Sequence, residues 1–272
     1  MSGEDVASEL RWSASKVSRI ETNRIGIKTA DLNKLLDLYN QRGDRPVVDD
    51  TRRGQLIALA SEPEPRGWWN AYADSILPEY AAYISLEATA TEMRCWCPEM
   101  IHGLLQTEEY ANAIMEIPAL VGAIAPGTKQ RRIEVRMRRQ DLLRSAEQRR
   151  FTFILDEAAL LHRYGDAEVM QRQLARLGEV SRLPNVTILV LALAGPHPVF
   201  GPGSFTLLNF AALHGIAISD VVYIEQLTRS DFIEDEEATH EYRLLLEHIT
   251  REALDEEASR QLIAQTAAER WA

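Results

Sequence analysis

Ser13-Ala14-Ser15-Lys16-Val17-Ser18-Arg19-Ile20-Glu21, the stretch SASKVSRIE, decides how the first part of the chain reads. Ser13 has the hydroxyl that caps a helix by accepting a backbone N–H from its first turn. Val17 and Ile20 recur at helical spacing and form one inward face. Ala14, Ser15, Lys16, Ser18 and Arg19 are then left on or near the outer face. Working outward, residues 2–9 read as a shorter helix whose apolar stripe is Val6 and Leu10. Ser2 caps it, and Asp5 three positions on completes a capping box. Leu10-Arg11-Trp12 is the turn between the two helices. Asn23 and Gly26 close the second helix, and Thr29 caps a third that carries Leu32, Leu35, Leu36 and Tyr39.

A short helix, a tight turn and a second helix with one polar face is the plan by which helix-turn-helix proteins enter the major groove of double-stranded DNA. The outer face has suitable chemistry. Lys16 and Arg19 can pair with guanine acceptors or phosphates, Ser15 and Ser18 with either, and Ala14 can meet a thymine methyl. Ser2 and Ser13 stand at helix N-termini, where backbone N–H groups favour phosphate. Asn23 and Arg24 follow the reading helix and are placed to grip the DNA backbone.

Trp12-Ser13-x-Ser15-Lys16-Val17-Ser18-Arg19-Ile20-Glu21, then a polar loop and a leucine-rich helix, resembles the XRE-type, lambda-repressor-like family. RGWWNAYADSILPEY, EMIHGLLQT, EVRMRRQDLL, LDEAALL, LPNVTILVL and FTLLNF resemble the large domain of unknown function that follows the XRE domain in one group of bacterial regulators. That resemblance implies a transcriptional regulator acting on a DNA operator. It also implies a small partner protein, whose gene often lies beside the regulator's. In the family a further helix precedes the residue matching Ser2, so the resemblance implies a first helix missing here, by a trimmed start or by decay.

The 272 residues suffice for a small module and one full-sized domain. Apolar residues at 46% and charged residues at 26% are ordinary for a globular protein. No apolar run approaches the ~20 residues that cross a bilayer, and MSGEDVASEL lacks the basic and apolar regions of a signal peptide. Cys95 and Cys97 are the only cysteines and sit too close together for an ordinary disulfide. The chain therefore reads as cytoplasmic, with no membrane contact. Residues 1–45 hold eight Lys/Arg against seven Asp/Glu, a net +1, so the rest of the chain carries −12 and the whole −11. This asymmetry marks two units: a partial helix-turn-helix domain over 1–45, and a domain over 51–272 that senses an effector, binds a partner or forms a homodimer. QRGDRPVVDD, residues 41–50, is the linker candidate.

Beyond the linker, helices are expected at 51–60, 67–74, 79–88, from Thr107 to about Ile117, 128–148, 167–182, 235–251 and 255–270. Glu62-Pro63-Glu64-Pro65 reads as extended. Strand-like segments occur at 92–97, 151–156, 186–193, 204–210 and 221–227. The fold class is α+β: a truncated all-α module followed by a mixed α+β domain with about four strands and no clear parallel-sheet signature.

Residues 129–150 hold nine Lys/Arg and three Asp/Glu. Arg131, Arg132, Arg136 and Arg139 are candidates for an anion or partner site. The alternative is a solvated face paired with the acidic helices near 234–241 and 252–257. Trp68, Trp69, Tyr72, Tyr80 and Tyr83 either pack a core or line a pocket. Cys95 and Cys97 read as buried thiols, and Asp156 as the cap of a helix starting at Glu157. Gly201-Pro202-Gly203 is a turn, and the six histidines are scattered without metal spacing. No catalytic motif is evident and no cofactor is implied, so the reading is not an enzyme. The rivals are an antitoxin-like interaction module with a degenerate DNA-binding domain and, further off, an enzyme in the second domain.

Overall fold

The computed structural model describes residues 2–21, 25–42, 47–61, 67–121, 125–144, 149–195, 203–226 and 229–272. Asn23, Arg24, the 62–65 stretch, His197, Gly201 and Pro202 lie outside the described residues. The chain divides into two units: Met1–Arg66 with Ala211–Ile218, and Gly67–Phe210 with Ser219–Ala272.

The first unit holds α1 (Gly3–Leu10), α2 (Ala14–Glu21), α3 (Thr29–Gln41) and α4 (Asp50–Ser61). The capping box forms as the spacing predicts. Asp5 N–H donates to the Ser2 hydroxyl at 3.2 Å, and Ser2 N–H donates to the Asp5 carboxylate at 2.8 Å. The Ser2 N–H and hydroxyl hold the Asp5 carboxyl below its usual range. Ser13 accepts the Lys16 N–H at 3.1 Å. Thr29 differs from expectation. It is the first residue of α3, Lys28 occupies the cap position without a side-chain bond, and the Thr29 hydroxyl instead meets Ser61 of α4 at 3.3 Å. Val6, Ala7, Val17 and Leu38 make the buried core, with Leu10, Trp12, Leu35 and Tyr39 packed around it. Ile20 is only half-buried.

Residues 41–50 connect two helices of this unit and do not separate the units. Arg53 of α4 pairs with Asp37 and donates to Asn33 Oδ1 at 3.1 Å. Asn40 exchanges side-chain bonds of 2.7 and 2.9 Å with the Val48 backbone. The division therefore falls after Arg66 rather than near residue 50. The returning segment Ala211–Ile218 turns on itself through paired Leu213 and Ile216 backbones, with His214 and Gly215 at φ 49° and 76°. A Cβ on Gly215 would stand 2.6 Å from Gln55 Nε2, so both conformation and space require glycine there.

The second unit begins with a 3-10 turn (Trp68–Tyr72), then α5 (Pro78–Thr89), β1 (Glu92–Cys97), α6 (Glu108–Val121) and α7 (Pro126–Arg139). The chain continues through β2 (Arg150–Asp156), α8 (Glu157–Leu161), α9 (Ala167–Val180), β3 (Val186–Leu191) and β4 (Phe205–Asn209). It ends with β5 (Val221–Glu225), β6 (Ser230–Ile233), α10 (Glu236–Glu252) and α11 (Glu256–Arg270). The result is a mixed α+β unit with one six-stranded sheet, ordered β3-β2-β1-β4-β5-β6, where about four strands were expected. β1, β2 and β3 are parallel, joined by helical crossovers as parallel pairing demands. β4, β5 and β6 are antiparallel.

Both faces of the sheet are covered. Met93, Cys95, Phe151, Phe153, Ile188 and Val190 face one core, which α9 and α11 close with Leu174, Leu177 and Ile263. Trp96, Ile154, Leu189, Leu207 and Val222 face the other, closed by Leu246 and Ile249 of α10. Aspartates set several helix starts: Asp156, Asp166, Asp235 and Asp255 each accept a backbone N–H of the helix that follows.

One ion pair is nearly solvent-free. The Arg139 guanidinium donates to both Glu87 carboxylate oxygens, at 2.8 and 2.5 Å, and to the Tyr80 hydroxyl. Their side chains are 4% and 2% exposed. Removing one partner strands the other charge, so Glu87→Gln is expected to cost ~3–5 kcal/mol in urea unfolding. The double variant Glu87→Leu/Arg139→Leu should lose less than Glu87→Gln alone. A single-variant loss under ~1 kcal/mol would show that the pair does not hold the unit together.

Candidate nucleic-acid interface

The division of α2 matches its spacing. Val17 is 4% exposed against α1 and α3, while Ala14, Ser15, Ser18 and Arg19 are exposed. Arg19 Nε donates to the Ser15 carbonyl one turn back at 3.3 Å, which lays its stem along the outer face. Lys16 is engaged differently. Its ammonium lies 2.8 Å from an Asp31 carboxylate oxygen and 4.0 Å from the centre of the Trp12 ring. This lysine ties α2 to α3 and shields the turn. The Ser2 hydroxyl serves the capping box, and Asp5 places negative charge at the start of α1 where the sequence reading put a phosphate.

The turn itself is tightly made. Arg11 adopts φ 54°, ψ 41°, with its N–H reaching the Ala7 and Ser8 carbonyls, and Trp12 N–H donates to Ala7 at 2.8 Å. This left-handed residue at the end of α1 aims α2, a place where glycine is usual.

The arginine-rich segment is α7 with a following 3-10 turn (Gln140–Arg144). Its candidate residues all find acceptors within the second unit. Arg131 donates to the Ala71 carbonyl at 2.6 Å and pairs with Asp74 at 3.0 Å. Arg132 donates to the Ser75 carbonyl at 2.8 Å, and Arg136 to Gln106 Oε1 at 2.8 Å. Arg139 is the buried partner of Glu87. These four therefore cement α7 to its neighbours, and among the described residues none pairs with the acidic stretches 234–241 and 252–257.

The remaining candidates resolve as structure. Burial pushes the Cys97 thiol up to about 12 and Cys95 well above its ordinary value, so both stay protonated. Asp156 accepts the Ala158 N–H at 2.8 Å and caps α8 as its position implied. Trp69 and Tyr83 are buried, whereas Trp68, Tyr72 and Tyr80 are half-buried around them. Among the described residues no three His, Cys, Asp or Glu groups gather to hold a metal ion, and no helix is long and apolar enough to cross a membrane.

Two family models match this arrangement. Residues 1–46 match the model of a helix-turn-helix domain, and residues 80–265 match that of a domain of unknown function, DUF5753. The second match takes in more than half of the chain, and the chain belongs to that family. No curated protein and no solved structure matches it.

An arginine held in the left-handed region costs ~1–2 kcal/mol, partly offset because glycine loses more entropy on folding. Arg11→Gly is expected to raise stability by up to ~1 kcal/mol in urea unfolding. A loss of stability would show that the Arg11 side chain contributes more than its backbone strain removes. A second expectation concerns pH. Burial, then the Arg139 and Arg136 guanidiniums, hold His102 well below its ordinary value. Between the folded value and ~6.5 the unfolded chain takes up a proton that the folded chain refuses. Stability should therefore fall as pH drops below ~6.5, and His102→Gln should flatten that part of the curve. An unchanged slope in the variant would remove His102 as its source.

Proposed function

We propose that the protein is a transcriptional regulator whose first unit reads double-stranded DNA with α2 in the major groove. The observation that supports this most is the two-sided character of α2. Its apolar side is locked under α1 and α3, and its exposed side carries small and hydrogen-bonding residues with one arginine. Ala14, Ser15 and Ser18 let the helix approach base edges closely, and Arg19 supplies the fork suited to guanine. Lys16 contributes mainly by fixing α2 on α3. Asn23 and Arg24 keep their place in this reading as backbone contacts. The acidic remainder opposes non-specific binding to phosphate, so discrimination rests on the groove contacts. Two copies acting together would read half-sites about one helical turn apart. Asp156 is assigned the role of a helix cap.

A duplex selected from a randomised pool provides the test. Arg19→Ala is expected to weaken binding to it by ~1–3 kcal/mol and to leave affinity for unrelated duplex nearly unchanged. Lys16→Ala should cost less at the selected site and show a lower melting temperature. Equal affinity of the native chain and Arg19→Ala for the selected duplex would overturn the groove assignment. Failure to select any sequence would overturn sequence-specific reading altogether.

A further inference from the structure

Under α10, the second face of the sheet is buried at Trp96, Ile154 and Leu189. One row nearer the strand starts, the cover thins. Arg94 of β1, Thr152 of β2 and Thr187 of β3 stand side by side there, paired in register and all half-buried. Neighbouring strands lie about 4.8 Å apart, so the three side chains share one patch. Parallel strands covered on both faces are normally apolar on both, and a polar residue in the same row of all three departs from that rule. Arg94 departs from another. Every other described arginine of this unit that is not exposed meets an acceptor. Arg94 meets none, and its Nε is buried without a partner. Asn209, opposite Glu92 on the same face, has a buried Oδ1 with no donor, and Arg94 does not supply one. The Thr152 and Thr187 hydroxyls have no partner among the described residues either. At the rim, Arg150 is 76% exposed and holds Glu92 only at 3.5 Å, a pair loose enough to turn to a ligand. A buried donor left unmade costs stability, and such groups persist where a ligand answers them.

From this row we infer that the second unit binds a terminal phosphoryl group on the face of β1, β2 and β3, between the Arg94 guanidinium and the Thr152 and Thr187 hydroxyls. A terminal phosphoryl presents three acceptor oxygens. The Arg94 fork takes two of them, and the hydroxyls, one strand apart, reach the third. A carboxylate or a phosphodiester has only two free oxygens, which fill the fork and leave the threonines without an acceptor. The site lies wholly within the second unit and stands whether or not α2 reads DNA.

The full chain is titrated at constant ionic strength with methyl phosphate, inorganic phosphate, dimethyl phosphate and acetate. Binding is read by NMR at the Arg94 Nε–H and at the backbone amides of Thr152 and Thr187. A saturable shift is expected with methyl phosphate and inorganic phosphate, and the tighter of the two identifies the source of the group. Dimethyl phosphate and acetate should bind about tenfold or more weakly. Thr152→Val and Thr187→Val should each weaken phosphoryl binding about threefold or more at an unchanged melting temperature. Arg94→Met should abolish it and, without any ligand, melt no lower than the native chain, because the orphaned donor goes with it. The site is overturned if neither methyl nor inorganic phosphate gives a saturable shift, or if dimethyl phosphate or acetate binds as tightly. Native affinity in both valine variants overturns it too. So does a lower melting temperature for Arg94→Met, which would make the guanidinium part of the fold.

Discussion

A guanidinium and a carboxylate taken out of water are tolerated only if almost every donor and acceptor is answered. The second unit meets that condition between α5 and α7, and much of its architecture follows from doing so. Glu87 takes Arg139 through both oxygens, the Tyr80 hydroxyl takes another N–H, and the rings of Tyr80 and Tyr83 lie within 5.2 Å of the guanidinium carbon. With α7 fixed in this way, Arg136 reaches Gln106, whose own amide N–H donates to the Ile101 carbonyl at 2.7 Å. Gln140 donates to the Gln106 carbonyl at 2.6 Å, and Gln173 of α9 to the Leu105 carbonyl at 2.9 Å. The segment after β1 is thus held by Arg136 of α7, Gln140 just beyond it and Gln173 of α9.

Helix positions were largely legible because caps are local. Ser2, Asp156, Asp166, Asp235 and Asp255 announce helix starts through hydrogen bonds within two or three residues. Thr29 misled, since a residue of the same type can stand one position inside a helix and bond elsewhere. The strands were legible as apolar runs, but their pairing was not. FTFILD and VTILVL show no alternation because α9 and α11 cover one face and α10 the other, so inward and outward positions are both apolar. β6, SDFI, escaped because it is a four-residue edge strand with two polar members. Its register exists only through β5.

The candidate interface divides along the same line between local and distant causes. Helical spacing alone puts Val17 inside and Arg19 outside. It could not reveal that Lys16 meets Asp31, because that contact depends on how α3 crosses α2. Likewise the charge density of 129–150 showed a cationic helix but not which guanidiniums find carbonyls. Arg131 and Arg132 end on the Ala71 and Ser75 carbonyls, some sixty residues upstream. Arg138, one position from the buried Arg139, is instead exposed and stacked on the Trp68 ring.

The excursion Ala211–Ile218 has a consequence for the chain as genetic material. Those eight residues leave the sheet after β4, join the helical unit, and return to begin β5. The helix-turn-helix unit is therefore not a contiguous block that recombination can cut out at one junction and graft onto another domain. A donor that supplied Met1–Arg66 alone would arrive without the piece that Gly215 sets beside Gln55. An acceptor that kept its own β4–β5 loop would present a segment selected against a different α4. Inheritance of the two parts together, with the short segment co-adapting to a helix more than 150 positions away, is the evolutionary mode this topology favours.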